Sequence, residues 1–268
     1  MDIQKKITLV PIAGLCNRMN AITSGLQYKH HNPECELSIL WWKTHDCCAD
    51  FVDLFENIPG VNIRKMNSIL KNRPATPRNL FIPRFFRNLF YDFEMTFKHK
   101  AVDFDLLTLG KKNIYVASYN SWNKYIISKD LAKVFIPACD LQKRINEITK
   151  DWGENVVGLH IRRTDNVEAI EKSPLTYFYD VIENEISNNK ETRFYLATDD
   201  CGVKKELKDK YGARIITLDL ALERNSVKGM KDAVVDLYCL GNTTKIYGSH
   251  HSTYSNIASQ LYNIELIV

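Results

Sequence analysis

Short apolar runs alternate with amphipathic stretches along the chain, and this alternation predicts its elements. In the second half, β-branched runs with helical patterns between them occupy residues 156–161, 193–198, 214–217 and 244–248. In the first half, comparable runs occupy residues 7–12, 37–42 and 113–119. Short runs of this kind predict strands, and strands that alternate with helices through short loops predict parallel sheets. The pattern therefore indicates an α/β fold.

The length of 268 residues is sufficient for two domains of ordinary size. A helical pattern runs from Ala138 to Trp152, just before the regular second half begins. We therefore predict a boundary at this point, with one domain over residues 1–137 and another over residues 138–268.

Composition narrows the class of protein. A net charge of only +4 does not favour nucleic acid as a partner. The seven cysteines form no CxxC pair, so we expect neither a zinc knuckle nor a redox motif, and a reducing cytosol accounts for them. The first residues lack the apolar core of a signal peptide, and no apolar run approaches membrane length. We therefore expect a cytoplasmic protein.

The first candidate for chemistry is the polar cluster that follows the run Val156–Ile161. His160 lies at the end of this predicted strand, and Arg162, Arg163 and Asp165 come directly after it. Open parallel sheets bind ligands at the carboxyl ends of their strands, and planar guanidinium groups suit phosphate. One arginine is expected to face a ligand while the other braces the loop through Asp165. The alternative is an arginine–aspartate pair that only pins the loop.

Two more predicted strands end in polar residues, and in a parallel sheet all three ends lie on one edge. Asp199 and Asp200 follow one strand, while Ser252 and Thr253 lie where another strand turns into the last long helix. Helix N–H groups and hydroxyls suit a phosphate, although helix capping alone also explains such residues. Together the three ends predict a nucleotide diphosphate held by Arg162, Ser252 and Thr253.

The other polar residues of this half have several interpretations each. His160 is expected to line the base or phosphate pocket, and a histidine satisfied within the core is the competing view. Asp199 and Asp200 suit a metal, a sugar or base, or a helix cap, but no third ligand has convincing metal spacing. Asp236 lies in an apolar helix and needs donors if it is buried. A guanine edge offers two donors; an ordinary helix-surface aspartate is the alternative.

Near the N-terminus, the first strand leads into a turn at Gly14 and a helix that carries Arg18 in its first turn. Such a turn presents backbone N–H groups to an anion. Arg18 is placed to reach a ligand there, but from the pattern alone a solvated surface arginine is favoured.

A basic and aromatic stretch follows from Arg64 to Arg87, with seven basic residues, no acidic residue, and Phe81, Phe85 and Phe86 among them. Basic and aromatic residues together suit a membrane surface or an acidic ligand. The favoured interpretation is simpler: an irregular excursion packs its phenylalanines against the first domain, because they lack a sustained helical period.

At the polar segments of the second half and at the Gly14 turn, the sequence resembles the fucosyltransferase superfamily that contains the nodulation α1,6-fucosyltransferases and the protein O-fucosyltransferases. The first motif reads His-Ile-Arg-Arg-Thr-Asp from His160 to Asp165, which is similar to the α1,6 branch. The other similar stretches are Tyr195–Asp200, Val234–Leu237, Ser249–Ser255 and Gly14–Arg18. In the last of these, Cys16 stands where the superfamily has a second glycine.

The resemblance implies a GT-B fold, in which two Rossmann-like domains face a cleft and the C-terminal one binds the donor. It implies an inverting glycosyltransferase that moves L-fucose from GDP-fucose to a glycan hydroxyl without a metal or other cofactor. Arg162 would then contact the β-phosphate and assist departure of GDP, His160 and Asp236 would read the guanine, and Ser252 and Thr253 would bind phosphate.

The remaining site residues follow from the same resemblance. The N-terminal domain would lie on the acceptor side, and the further donor contacts would be Asp199, Gly14, Asn17 and Arg18. The α1,6 enzymes have lysine directly after the motif aspartate, where this chain has Asn166. Glu168 and Glu171 are then both candidates for the catalytic base.

Three alternatives stay open: the same fold with another GDP-sugar, a non-catalytic GDP- or sugar-binding module, and a phosphate-transfer enzyme. The absence of a P-loop lysine motif counts against the last. The compact chain looks like a bacterial enzyme of glycan biosynthesis, whose acceptor is a glycan or a lipid-linked glycan. Residues 64–91 then suggest weak peripheral contact with the inner face of the membrane.

Overall fold

The computed structural model describes residues 4–65, 82–96, 102–125, 130–163, 167–219 and 223–268. The chain divides into two compact units. The first comprises Met1–Ser128 and Arg224–Val227, and the second comprises Lys129–Glu223 and Lys228–Val268. Residues 66–81 of the basic and aromatic stretch, and Thr164, Asp165 and Asn166 of the first motif, lie outside the described residues.

The first unit contains a parallel five-stranded sheet in the order β3-β2-β1-β5-β4. Its strands are β1 (Lys6–Pro11), β2 (Glu36–Trp41), β3 (Asn62–Lys65), β4 (Phe93–Thr96) and β5 (Asn113–Ser118). Its helices are α1 (Leu15–His31), α2 (Phe51–Leu54), α3 (Arg84–Phe90) and α4 (Phe104–Leu107). The three apolar runs form β1, β2 and β5. The pattern does not predict β3 and β4, since each is only four residues long, β3 is mostly exposed and β4 is only partly buried.

Helix α1 packs closely on the centre of this sheet. Gly25 permits the approach, because a Cβ atom there would lie 3.2 Å from the Leu37 side chain and 3.3 Å from that of Leu9. A mid-helix glycine costs about 1 kcal/mol of helix propensity, which close packing offsets. None of the described helices, α1 included, is long and apolar enough to cross a membrane.

The second unit contains another parallel five-stranded sheet, in the order β10-β9-β6-β7-β8. Its strands are β6 (Val156–Ile161), β7 (Arg193–Thr198), β8 (Ile215–Ile216), β9 (Lys245–Gly248) and β10 (Glu265–Ile267). Its helices are α5 (Cys139–Thr149), α6 (Val167–Lys172), α7 (Leu175–Asn188), α8 (Cys201–Tyr211), α9 (Val227–Gly241) and α10 (Thr253–Tyr262). The prediction of an α/β fold with parallel sheets is confirmed. Edge strand β10 is not predicted by the apolar pattern, and β8 is shorter than predicted.

The central strand β6 is buried along its whole length. Leu159 and its alternate neighbours pack with Phe178 and Ile182 of α7 in one core cluster. Gly158 points to the opposite face, where a Cβ atom would lie 2.9 Å from Leu240 of α9. Because strand side chains alternate between faces, His160 also lies on the α9 side of the sheet.

Residues 129–137 belong to the second unit, whereas the predicted boundary assigns them to the first. The physical reason is packing of the 3₁₀ turn Leu131–Lys133 and its neighbours. Leu131 is fully buried, and the Phe135 carbonyl accepts a hydrogen bond from the Tyr238 hydroxyl on α9. Residues 224–227 in turn belong to the first unit, where the Arg224 carbonyl accepts a bond from Cys48 N at 3.1 Å.

Candidate functional site

Three strand ends of the second unit meet at one edge of its sheet, because β9, β6 and β7 are neighbours. Hydrogen bonds connect them. The Ser249 hydroxyl donates to the His160 carbonyl at 3.2 Å and accepts from the Arg162 backbone N–H at 3.0 Å. On the other side, the Arg163 backbone N–H donates to Asp199 Oδ1 at 2.8 Å. The structure therefore brings together the three polar segments that the sequence predicts on this edge.

The two adjacent arginines have different surroundings. Arg163 Nη2 donates to the Ser173 carbonyl at 2.9 Å, and its Nη1 donates to the Ile170 carbonyl at 3.3 Å. Burial is the main cause that lowers the pKa of Arg163, and Asp200 and Asp199 oppose it. Arg163 is thus the arginine that braces the loop, through backbone carbonyls that the sequence pattern does not reveal. Arg162 is half-buried at the end of β6.

The His160 side chain is only 7% exposed, and its Nδ1 has no hydrogen-bond partner among the described residues. Its ring stacks on Tyr254, with centroids 5.0 Å apart and planes inclined by 28°. Burial lowers the pKa of His160 to about 4; Asp199 opposes this shift and Arg162 adds to it. The ring is therefore neutral near pH 7. The view of a histidine satisfied within the core finds no support among the described residues, where Nδ1 is buried without a partner.

The first turn of α10 also contains an unsatisfied polar group. Ser252 is the N-cap residue, but its hydroxyl makes no capping bond. This side chain is 2% exposed, and Oγ has no partner in the described part of the chain. The turn lies close to β9 because Gly248 lacks a side chain: a Cβ atom there would lie 2.8 Å from Ser255 Oγ. Capping therefore does not explain Ser252, while half-buried Thr253 opens the helix.

The paired aspartates after β7 have separate roles. Asp200 caps α8, because its Oδ1 accepts from the N–H groups of Gly202 at 2.7 Å and Val203 at 3.1 Å. Asp199 accepts from Arg163 instead, as described above. Among the described residues, no group of three histidines, cysteines or carboxylates is arranged to hold a metal ion. Of the interpretations open for this pair, the cap applies to Asp200.

Asp236 is 5% exposed, so the interpretation as a helix-surface aspartate is wrong. Its Oδ1 accepts from the Tyr195 hydroxyl at 2.6 Å, and its Oδ2 accepts from the Tyr254 hydroxyl at 2.8 Å. Burial raises the pKa of Asp236, and these two hydrogen bonds oppose the shift. The buried carboxylate has its two donors, but they come from tyrosines that sequence reasoning missed. A tyrosine in the middle of an apolar strand was the available signal, since buried hydroxyls usually find a partner.

The two candidate bases both lie on α6 and are exposed. Glu168 pairs with Lys172 Nζ at 2.7 Å and with His251 Nε2 at 3.4 Å. The hydrogen bond from Lys172 is the main cause that lowers the pKa of Glu168, which makes this carboxylate a weaker base. Among the described residues Glu171 makes no such ion pair, and the choice between the two glutamates stays open.

The turn before α1 differs from the turn before α10. Arg18 is fully buried, so the expectation of a solvated surface arginine is wrong. Its Nε donates to the Ala13 carbonyl at 2.8 Å, Nη1 to the Trp42 carbonyl at 2.7 Å, and Nη2 to Thr44 Oγ1 at 2.8 Å. Arg18 thus holds the turn together. Donor contacts by Gly14, half-exposed Asn17 and Arg18 stay predictions.

Comparison with known proteins adds the fold. No protein-family model matches the sequence, and no curated protein matches it. Among solved structures, NodZ fucosyltransferase from Bradyrhizobium matches at TM-score 0.60 and 13% identity, over 97% of this chain and 94% of that one. Arabidopsis thaliana FUT1 in complex with GDP matches at TM-score 0.61 and 14% identity, over 98% and 70%. POFUT1 in complex with GDP-fucose matches at TM-score 0.54 and 9% identity, over 99% and 97%.

The chain has the fold of these fucosyltransferases. The resemblance that the motifs indicate is therefore confirmed at the level of fold, across nearly the whole chain. At 9–14% identity, the similarity concerns the fold and leaves the chemistry to the residues of the site.

Proposed function

We propose that this protein transfers L-fucose from GDP-fucose to a hydroxyl of a glycan acceptor. One observation carries the proposal: within the part of the chain that the structure describes, His160 Nδ1 and Ser252 Oγ are both buried without partners on the sheet edge that also bears Arg162. Buried polar groups are normally hydrogen-bonded, so two exceptions on one edge favour a polar ligand there. Proteins of the same fold have been crystallised with GDP and with GDP-fucose.

In this proposal the second unit holds the diphosphate. Arg162 supplies a fixed positive charge, and Ser252 and Thr253 present a hydroxyl and helix N–H groups at the start of α10. Negative charge develops on the diphosphate as it leaves, and preorganised donors stabilise that charge most when little water is present. A metal ion is not needed for this step. The acceptor hydroxyl then attacks from the opposite side of the sugar, which inverts the anomeric centre.

The nucleoside end of the donor would lie near His160 and Asp199. In the neutral His160 ring, Nδ1 can accept a hydrogen bond from the base or donate one to it, depending on the tautomer. The resemblance assigns the guanine to Asp236 as well as to His160. Three further parts belong to the same proposal. Gly14, Asn17 and Arg18 make donor contacts from the N-terminal turn, and Glu168 or Glu171 acts as the base. The two Rossmann-like domains face a cleft.

Calorimetry with GDP, ADP and UDP, each with and without EDTA, tests the proposal. We expect GDP to bind at least tenfold more tightly than ADP or UDP, with no effect of EDTA. Preference for ADP or UDP, or dependence on a divalent cation, would refute it. The donor sugar needs a separate experiment, because guanine and diphosphate contacts do not touch it. Turnover of GDP-fucose and GDP-mannose on a glycan panel distinguishes fucose transfer from transfer of another sugar and from a non-catalytic binding module.

The proposal extends to a lipid-linked acceptor in a cytoplasmic enzyme at the inner face of a membrane. On α3, Phe85, Leu89 and Phe90 are 72%, 64% and 60% exposed. Phe86 packs against the hydrophobic core of the first unit, whereas Phe85 is exposed. The interpretation of phenylalanines packed against the first domain therefore holds for Phe86 and fails for Phe85. Exposed apolar side chains in a basic stretch suit an anionic bilayer surface.

Vesicle sedimentation tests this contact. We expect weak binding to phosphatidylglycerol-containing vesicles that the Phe85→Ala/Leu89→Ala variant reduces. The matched control is Leu106→Ala/Leu107→Ala, which removes exposed apolar side chains beside the acidic Asp105. Equal binding by all three proteins would exclude α3 as the contact.

A further inference from the structure

Tyr254 joins two residues of the candidate site that come from different elements. It lies in the first turn of α10 and is half-buried. Its ring stacks on His160 at the end of β6, with ring centroids 5.0 Å apart. Its hydroxyl donates to Asp236 Oδ2 on α9 at 2.8 Å, and the Ala233 carbonyl lies 3.2 Å from the same hydroxyl. One side chain therefore connects the α9 carboxylate to the imidazole at the sheet edge.

Asp236 itself has little capacity for a direct contact with a ligand. Each of its oxygens already accepts a tyrosine hydroxyl, from Tyr195 and from Tyr254. Only 5% of the residue is exposed. A base could contact this carboxylate directly only through the little surface that stays exposed, at the second acceptor site of an oxygen, or by displacing a tyrosine hydroxyl. Displacement would leave a buried hydroxyl unsatisfied, which is costly.

We propose that Asp236 acts on the donor pocket only through Tyr254, and that Tyr254 is a positioning residue that fixes the His160 ring. This inference rests on the proposed function and changes one of its details: the resemblance implies that Asp236 reads the guanine itself. A carboxylate is a strong acceptor, so it holds the phenol in one place. The phenol ring then covers one face of His160 and restricts the imidazole to one orientation.

The chain offers a matched control for Tyr254. The Tyr195 hydroxyl donates to the other oxygen of the same carboxylate, at 2.6 Å. The Tyr195 ring packs against Trp152, with centroids 5.1 Å apart. Tyr254→Phe and Tyr195→Phe each remove one hydroxyl from Asp236, but only Tyr254 stacks on His160.

The test measures the affinities of GDP and IDP for the wild type, Asp236→Asn, Tyr254→Phe and Tyr195→Phe. IDP lacks the 2-amino group of guanine, so it reports on any residue that accepts from that group. We expect Tyr254→Phe and Asp236→Asn to weaken GDP and IDP by the same factor, roughly threefold to tenfold, as for one lost hydrogen bond. The ratio of the two affinities should stay at its wild-type value. Tyr195→Phe should change both affinities less.

A second measurement separates positioning from stability. Urea unfolding should show similar losses for the two Tyr→Phe variants, so a merely structural role would give them similar losses of GDP affinity. The inference is overturned if Asp236→Asn removes a wild-type preference for GDP over IDP, or if Tyr254→Phe binds like wild type. It is also overturned if Tyr195→Phe weakens GDP as much as Tyr254→Phe. A wild type that does not prefer GDP over ADP and UDP would instead refute the proposed function.

Discussion

The turn before α1 and the turn before α10 have the same plan and opposite hydrogen bonding. Each follows a strand of a parallel sheet and opens a helix that packs on that sheet. In the first unit, Arg18 donates three hydrogen bonds to oxygens of its own unit. In the second unit, Ser252 Oγ at the turn and His160 Nδ1 on the neighbouring strand β6 are buried without partners among the described residues.

The difference shows how to distinguish a binding site from structural support. Burial of a polar group costs free energy unless it is hydrogen-bonded, so most such groups are satisfied. Arg18 has the residue type of a ligand-binding group, yet its bonds serve the turn itself. Ser252 has the residue type and position of a helix cap, yet it does not cap. The unmet hydrogen bonds among the described residues, rather than the residue types, are what favour the second turn in the proposed function.

The largest effect on this comparison is expected from Arg18→Met. The variant leaves one buried and two part-buried oxygens without their donor, so the free energy of unfolding should fall by roughly 3 to 5 kcal/mol. Urea unfolding measures this loss. Arg18→Lys keeps the charge but not the planar arrangement of donors. Its free energy of unfolding should lie between those of the wild type and Arg18→Met. An unchanged unfolding midpoint would show that the first turn does not depend on Arg18. If folded Arg18→Met also binds GDP weakly, Arg18 contacts the donor as well.

Arg162→Ala should lower transfer while the protein remains folded. Loss of a preorganised charge at the leaving group lowers turnover by roughly 100-fold to 1000-fold. Arg163→Ala is the matched control, because Arg163 donates to the Ile170 and Ser173 carbonyls and its loss should lower stability. Turnover of GDP-fucose and thermal unfolding are measured for both. Wild-type turnover by Arg162→Ala would remove this residue from the mechanism.

The pH dependence of the free energy of unfolding should depend on His160 and not on Arg18. The pKa of His160 falls from 6.5 to about 4 on burial, so the unfolded chain binds a proton that the folded protein does not. The contribution of His160 to the free energy of unfolding is therefore fully present above pH 6.5. It is lost as the pH falls towards 4, by about 3 kcal/mol in total. His160→Phe keeps an aromatic ring and should flatten this profile, measured by urea unfolding between pH 7 and pH 4. Parallel profiles for variant and wild type would contradict a buried neutral His160. Arg18 stays charged over this range.

The smallest effect is expected from the buried serines. Ser252→Ala removes a hydroxyl that has no partner in the described ranges, so stability should hold or rise by about 1 kcal/mol while GDP affinity falls by a similar free energy. Ser24 of the first unit is the control, because its hydroxyl accepts from the Trp122 N–H at 3.0 Å and from Asn123 Nδ2 at 2.9 Å. Ser24→Ala should lower stability by about 1 to 3 kcal/mol. Equal stability losses in the two variants would erase the distinction between the turns.

The apolar pattern predicts the central strands well and the edge strands poorly. Strand β6 is buried at every position and apolar except at His160, so its residues alone specify its place. Strands β3 and β4 are four residues long and partly exposed, and they carry charged residues such as Arg64 and Glu94. Pairing with a neighbouring strand defines them, and pairing is a property of the folded sheet.

The predictions for single polar residues were least secure. The Asp236 carboxylate depends on Tyr195, which is 41 positions away in the chain, and on Tyr254, which is 18 positions away. No local period connects such residues. Which of the two adjacent arginines braces the chain likewise depends on the carbonyls of Ile170 and Ser173, to which Arg163 donates.

The sequence by itself determined the alternation of strands and helices, and hence which polar segments share the edge formed by β9, β6 and β7. It did so because burial of apolar faces acts locally, with the period of each element. Only the tertiary structure decided which polar groups on those segments are satisfied. Hydrogen bonds require partners at about 3 Å, and for Arg18, Asp236 and Ser252 the presence or absence of those partners depends on how distant segments pack.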